Sequence, residues 1–257
     1  MSDARLRVGI FGGVGRVTLA RPEKRNALDQ QAAHELHDVL MEFEGDDMVR
    51  AVLLTADGDD FCTGADLAAL AAMLDAPAEV HKRDAVDLGR VFLTMRGMSK
   101  PVVAAVQGRA LGGGCGLATA CDVVLARDDA QFGYPEVRIG FMPAMVMNML
   151  RRSVGEKHAF DLVASGRVIP AAEAERLGLV SRVLAVNGFA EEVERYVLGL
   201  AASPSTSMGF TKRLFYRLDL LSFRDGIAEG VQANVEARQT EEFRTGVLRF
   251  SKAKSGG

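Results

Sequence analysis

The chain has 257 residues, 48% apolar and 25% charged, with a formal net charge of −3. That is ordinary globular composition, with ample material for a core. There is no long basic run, no Trp, and only three Tyr to act as stacking platforms, so nucleic acid is not expected as a partner. No apolar run reaches the ~18 residues of a membrane span, and a membrane is not expected either. The first residues lack the apolar centre of a signal peptide. Cys62, Cys115 and Cys121 are an odd number of cysteines in apolar surroundings. They read as reduced thiols in a cytoplasmic protein. Their spacing is not that of a metal site, and no metal is expected.

Residues 5–20 alternate, turn through GlyGlyValGly and alternate again, which predicts a hairpin. Residues 21–29 are a polar loop ending in Asp29, a suitable helix N-cap. Residues 30–44 carry Ala33, Leu36, Leu40 and Phe43 at helical spacing. His34 and His37 share that helix and read as solvated side chains. Residues 51–55 are a buried type of strand, and residues 58–67 a loop feeding a helix. The charged stretch 74–88, interrupted by Pro77, reads as a mobile segment or lid.

Residues 100–143 organise the rest. A strand at 102–106 meets Gly112, Gly113 and Gly114, which open a small-residue helix ending near Ala120. A second strand follows at 123–126, and a loop then delivers Glu136. Beyond Pro143 come helices at about 145–153, 156–165 and 171–177, with a strand at 179–184. Further helices follow at about 189–202 and 206–218, and a last long one begins near Ser222. Strands alternating with helices predict an α/β class.

Two turns invite joint reading: Thr63-Gly64-Ala65-Asp66 and Gly112-Gly113-Gly114. Each stands at the mouth of a helix, where backbone N–H groups lack partners. Two such donors on one carbonyl oxygen make an oxyanion hole. Glu136 is a candidate to supply proton chemistry beside it, the other reading being a surface loop carboxylate near Arg138.

Six pieces of sequence resemble the enoyl-CoA hydratase/isomerase (crotonase) superfamily. They are ArgProGluLysArgAsnAlaLeu (21–28), PheCysThrGlyAlaAspLeu (61–67), the run from Lys100 to Gly114, CysAsp (121–122), AlaGlnPheGlyTyrProGluValArgIleGly (130–140) and ArgLeuGlyLeuValSer (176–181). The resemblance implies a spiral of repeated ββα units over residues 1–200, bearing the active site. A helical region at 201–257 would build a homotrimer or homohexamer. It implies an acyl-CoA substrate, with coenzyme A as part of that substrate and no resident cofactor. By motif position, Ala65 and Gly113 give the oxyanion N–H groups and Glu136 is the catalytic acid/base. Lys24, Arg25, Ala65, Asp66, Leu67, Ala68 and Gly113 border the CoA arm. Lys252 or Lys254 would reach the CoA of a neighbouring subunit. Tyr134, Phe141 and Met145 are candidates for the acyl pocket or for plain core.

One departure matters. Family hydratases usually carry a glutamate two residues after the third glycine, and this chain has Gly116 there. The expected activity is reversible hydration of a 2-enoyl-CoA by a single glutamate. Double-bond isomerisation by Glu136 alone is the alternative. Thioester hydrolysis and non-catalytic CoA binding come after it.

Overall fold

The computed structural model describes residues 4–255, and at 250 and 252–255 the backbone alone. The side chains of Lys252 and Lys254 therefore lie outside the described residues. β1 (Leu6–Phe11) and β2 (Val14–Leu19) form the expected hairpin, turned by Gly12 and Gly13. A 3-10 turn (Pro22–Lys24) leads to α1 (Gln30–Gly45). Asp29 caps α1 as expected, its carboxylate accepting from Ala32 N. β3 (Ala51–Ala56), α2 (Leu67–Ala72) and α3 (Ala78–Gly97) follow. β4 (Val102–Val106), β5 (Arg109–Leu111) and α4 (Gly113–Ala120) make the central stretch.

β6 (Val123–Arg127) and β7 (Gln131–Gly133) precede a second 3-10 turn (Pro135–Ile139). Then come α5 (Val146–Val154), α6 (Glu156–Ser165), β8 (Val168–Pro170), α7 (Ala171–Leu177) and β9 (Arg182–Leu184). The chain continues through α8 (Phe189–Ala201), α9 (Ser205–Arg217), α10 (Phe223–Arg238) and α11 (Glu241–Ser255).

The strands form two walls. The larger sheet has the order β1-β2-β3-β4-β6-β9 and is parallel from β2 onward. The smaller has the order β5-β7-β8. Each turn of the spiral lays a strand in the large sheet, crosses to the small wall, and returns through helix. β4 is buried at every residue, which accounts for its uninterrupted apolar run. The main core fills the space between the walls, α1, α3 and α4. A second cluster lies behind the large sheet under Val193, Val197 and Ala201 of α8. In the early turns the small wall shrinks to single bridges, Leu28↔Ala65 and Cys62↔Ala110.

Two readings of the sequence are corrected, and three short strands are added. The stretch 74–88 is mostly the start of α3 rather than an irregular segment. Pro77 sits at the N-cap of that helix, where its missing N–H costs nothing. The last long helix is two, α10 and α11, parted at 239–240. β5, β7 and β8 had no sequence signal, because three residues are too few for a period to show.

α9 is fastened to the spiral by one buried cation. Lys212 is 6% exposed, and its ammonium donates to Met95 O, Lys100 O and Asp122 Oδ2 at 2.6, 2.8 and 2.7 Å. Asp122 also accepts from Val102 N and from the Tyr216 hydroxyl. Burial pushes the Lys212 pKa down, against the pull of Asp122. Removing one partner of such a pair strands the other charge. Lys212→Met is therefore expected to cost about 3–5 kcal/mol in urea unfolding; an unchanged midpoint would rule this anchor out.

Candidate active site

The site begins at the single bridges. Residues 61–66 form a loop held on one side by Cys62 N to Arg109 O and Leu111 N to Cys62 O, at 3.0 and 2.9 Å. On the other side Thr63 N donates to Arg25 O, Leu28 N to Gly64 O, and Asp66 N to Leu28 O. The Ala65 N–H makes no hydrogen bond among the described residues. The same holds for the N–H of Gly113, the first residue of α4.

The two turns touch. Gly64 has φ +97°, and a Cβ there would stand 3.0 Å from Leu111 O and 3.5 Å from Gly113 N. Gly112 has φ +51°, and a Cβ there would stand 3.1 Å from Glu136 Oε1 and 3.8 Å from Gly64 Cα. Only glycine allows both the positive φ and the close approach. The chain thus brings Glu136, Gly112, Gly113, Gly64 and Ala65 together, as the sequence reading expects.

Glu136 rides on the second 3-10 turn, which Gly140 closes in the left-handed region. The turn is moored from the residue before it. Tyr134 is fully buried, and its hydroxyl lies 2.7 Å from Thr119 Oγ1, which itself donates to Cys115 O in α4. The carboxyl of Glu136 is half-buried. Its Oε2 is shielded from solvent and has no hydrogen-bond partner. Desolvation raises its pKa above the ordinary 4.5. No ion pair with Arg138 forms among the described residues, so Glu136 is not a salt-bridged surface carboxylate.

The other expected site residues divide. Asp66 is buried and committed to structure: it caps α2 through Ala68 N and Ala69 N and pairs with Arg21 and Lys24. Arg21 also pairs with Asp29, itself held by Arg5. Burial opposes the charge on Asp29, but hydrogen bonds from Arg5, Ala32 N and Arg21 bring its pKa down to about 2. This ionic cluster fixes the loop that holds Lys24 and Arg25, and it joins residues too far apart along the chain to be read from local pattern. Lys24 and Arg25 are exposed, and Arg25 lies in the left-handed region with φ 52°. Ala65, Leu67 and Ala68 are exposed beside them. A cavity of about 360 Å³ opens between α1 and α2, walled by Gln30, Ala65, Asp66, Ala69, Met73 and Asp84.

Tyr134 is core, because its packing and hydroxyl partner leave it no free surface. Phe141 is 62% exposed. Met145 lines a separate cavity of about 480 Å³ between α3, α5 and the end of α9.

The family model described as enoyl-CoA hydratase/isomerase matches residues 9–255. The chain belongs to that family. It is 41% identical over 239 residues to a putative enoyl-CoA hydratase of Thermus thermophilus, covering 93% of this chain and 94% of the relative. It is 32% identical to the short-chain-enoyl-CoA hydratase of Clostridium acetobutylicum, covering 93% and 91%. A crystal structure of a putative enoyl-CoA hydratase/isomerase (crotonase) from Legionella pneumophila superposes with a TM-score of 0.91 at 29% identity, covering 98% of each chain. The two-walled spiral with its terminal helices is the crotonase fold.

Gly116 explains itself only in three dimensions. A Cβ there would stand 2.6 Å from Val146 Cγ2 and 3.3 Å from Phe92 Cζ. The space that a side chain at 116 would enter, where the sequence resemblance leads one to expect a glutamate, is filled by apolar side chains from α3 and α5. Restoring that glutamate alone must displace packed core, and overpacking typically costs 1–3 kcal/mol. Gly116→Glu is expected to lower the melting temperature and turnover. Adding Val146→Gly should recover part of both. A single variant that folds normally and turns over faster would contradict this packing.

Proposed function

We propose that this chain adds water reversibly to a 2-enoyl-CoA thioester. The observation that carries the reading is the half-buried Glu136 carboxyl, its Oε2 shielded and unpartnered, against two glycine turns whose Ala65 and Gly113 amides are unspent. In this reading the N–H groups of Ala65 and Gly113 hold the thioester oxygen. Glu136 takes a proton from water as the new C–O bond forms at C3. The π electrons move toward C2 and the carbonyl, giving an enolate stabilised by the two amides. The same carboxyl then delivers its proton to C2. The exposed Lys24 and Arg25 suit the phosphates of coenzyme A. Ala65 to Ala68 would border the CoA arm, with Asp66 serving as the strut of that segment. The names of the relatives, hydratases in each case, agree.

A second reading has one specific observation behind it. With Val146 in the space next to Gly116, no second carboxylate stands ready, and a lone glutamate suits moving a proton between C2 and C4. Absorbance separates the two: the conjugated thioester signal falls on hydration and rises when a 3-enoyl substrate is isomerised. Free thiol release would report hydrolysis instead. Glu136→Gln is expected to cut turnover of the competent substrate about 10²- to 10⁴-fold while sparing CoA binding. Glu136 works as a carboxylate and its pKa is raised. The acid limb of kcat/KM should therefore lie above pH 4.5, with activity lost as pH falls through it. Full turnover in Glu136→Gln would remove this residue from the mechanism.

The division into a spiral at 1–200 and an assembly region at 201–257 also belongs to this reading. α10 carries Phe223, Ile227, Val231 and Val235 at four-residue spacing, exposed by 88, 58, 62 and 46%. A stripe of that kind on one helix face favours burial against other copies of the chain. Sedimentation should show a trimer or hexamer, and Ile227→Asp should shift it toward monomer; a wild-type monomer would overturn the assembly.

A further inference from the structure

The cavity of about 480 Å³ between α3, α5 and the end of α9 holds a charge that the fold does not balance. Its walls are mostly apolar, with Leu93, Met145, Met149 and Leu220 among them, and Arg96, Arg152 and Asp219 bring charge to it. Arg152 is answered on two sides, by Asp219 at 3.2 Å and by the carbonyl oxygens of Asn148. Asp122, which fixes the Tyr216 hydroxyl, also serves Lys212 and Val102 N. The Arg96 side chain has no carboxylate partner and makes no hydrogen bond among the described residues, and its Nε is buried without an acceptor. Its guanidinium lies over the Tyr216 ring, 4.6 Å from the centroid. Stacking steadies the fork but uses only its face, so the N–H groups at its edge stay open. A buried donor left open costs free energy unless something else satisfies it.

A partition separates this cavity from the proposed reaction centre. Phe92 and Val146 are both buried and fill the space beside Gly116. Phe92 Cζ lies 3.3 Å, and Val146 Cγ2 2.6 Å, from the Cβ position of that glycine. Phe92 has Gly116 on one side and the cavity on the other. A chain held at the amides of Ala65 and Gly113 would have to displace it to pass. The way in is from solvent, past Leu93 and Leu220, each 75% exposed. Met145 and Met149 bring unbranched side chains that adapt to an irregular ligand. A molecule entering there meets apolar side chains and one open guanidinium.

We propose that this cavity is a second binding site, taking a free monocarboxylate with an apolar body, such as a fatty acid of medium length, independently of any CoA thioester. The inference goes beyond the hydratase reading and does not rest on it. One surplus positive charge matches one carboxylate, and the planar fork suits its two oxygens. A cationic ligand finds no free partner, because Asp219 and Asp122 are both engaged. The volume falls within the roughly 300–1,000 Å³ of small-molecule pockets, and the apolar walls suit a hydrocarbon body.

The test is calorimetric titration of the full chain with octanoate, octanol and octylamine. Octanoate is expected to bind one site per chain, about tenfold to a hundredfold tighter than octanol, as befits a charge-assisted pair. Octylamine should bind most weakly. Arg96→Met should bring octanoate down to the level of octanol. Arg96→Lys, which keeps the charge and loses the fork, should retain part of the preference and guards against a folding defect in the first variant. Saturating acetyl-CoA should leave the octanoate affinity unchanged. Equal affinity for octanoate and octanol would overturn the proposal, as would a preference that survives Arg96→Met. Mutual displacement of octanoate and acetyl-CoA would overturn it too, by placing both in one site. So would a wild-type chain that ignores octanoate while the Ile227→Asp variant binds it, since a second copy then covers the cavity. Octanoate binding without turnover of any enoyl-CoA would sink the hydratase reading and leave this one standing.

Discussion

The site depends on one close approach of backbone to backbone. The turn at Gly64 and the turn at Gly112 lie so near each other, and so near Glu136, that side chains cannot stand between them. That proximity leaves the amides of Ala65 and Gly113 open and places a half-dehydrated carboxyl beside them. It is kept by unusually small devices. The second wall of the spiral is reduced at this point to the bridges Leu28↔Ala65 and Cys62↔Ala110. A full strand pairing would spend the amides that a ligand needs.

Short bridges are weak, and charge reinforces them. Arg21 ties Asp29, the cap of α1, to Asp66, the cap of α2. Those two caps flank the loop that includes Ala65. Pairs of this kind contribute little net stability when burial is charged against them, but they are costly to break. Their effect here is positional: one guanidinium joins the starts of α1 and α2 beside the loop 61–66. Lys212 and Asp122 do the same for α9 at the opposite end of α3.

Glycine at 116 and valine at 146 form one substitution in physical terms. The first removes a side chain and the second occupies the space. In the proposed reading this leaves Glu136 as the one proton-handling carboxylate, and desolvation holds its pKa up. The same helix start that supplies Val146 also supplies Met145 to the neighbouring cavity. Changes at the head of α5 therefore reach both the surroundings of Gly116 and that cavity.

Much of this was legible in the chain itself. The hairpin, the Asp29 cap, the helix 156–165 and the strand 102–106 follow from alternation, capping chemistry and apolar runs, which depend on sequence neighbours. The three glycines and Glu136 marked the site because glycine-rich turns at helix starts are recognisable locally. Other features were not legible. The stretch 74–88, expected to be irregular, is mostly helix, since Pro77 stands before its first turn rather than within it. Tyr134 could be read as pocket or as core, and only its burial and its contact with Thr119 decide for core. Gly116 was visible as a missing glutamate, but Val146 as its occupant was not. Sequence alone determined the elements and the chemical groups, because those are set by residues adjacent along the chain. Only the tertiary structure decided which amides stay free, which carboxyl loses water and which arginine is left unpaired, because each is a property of contacts between distant segments.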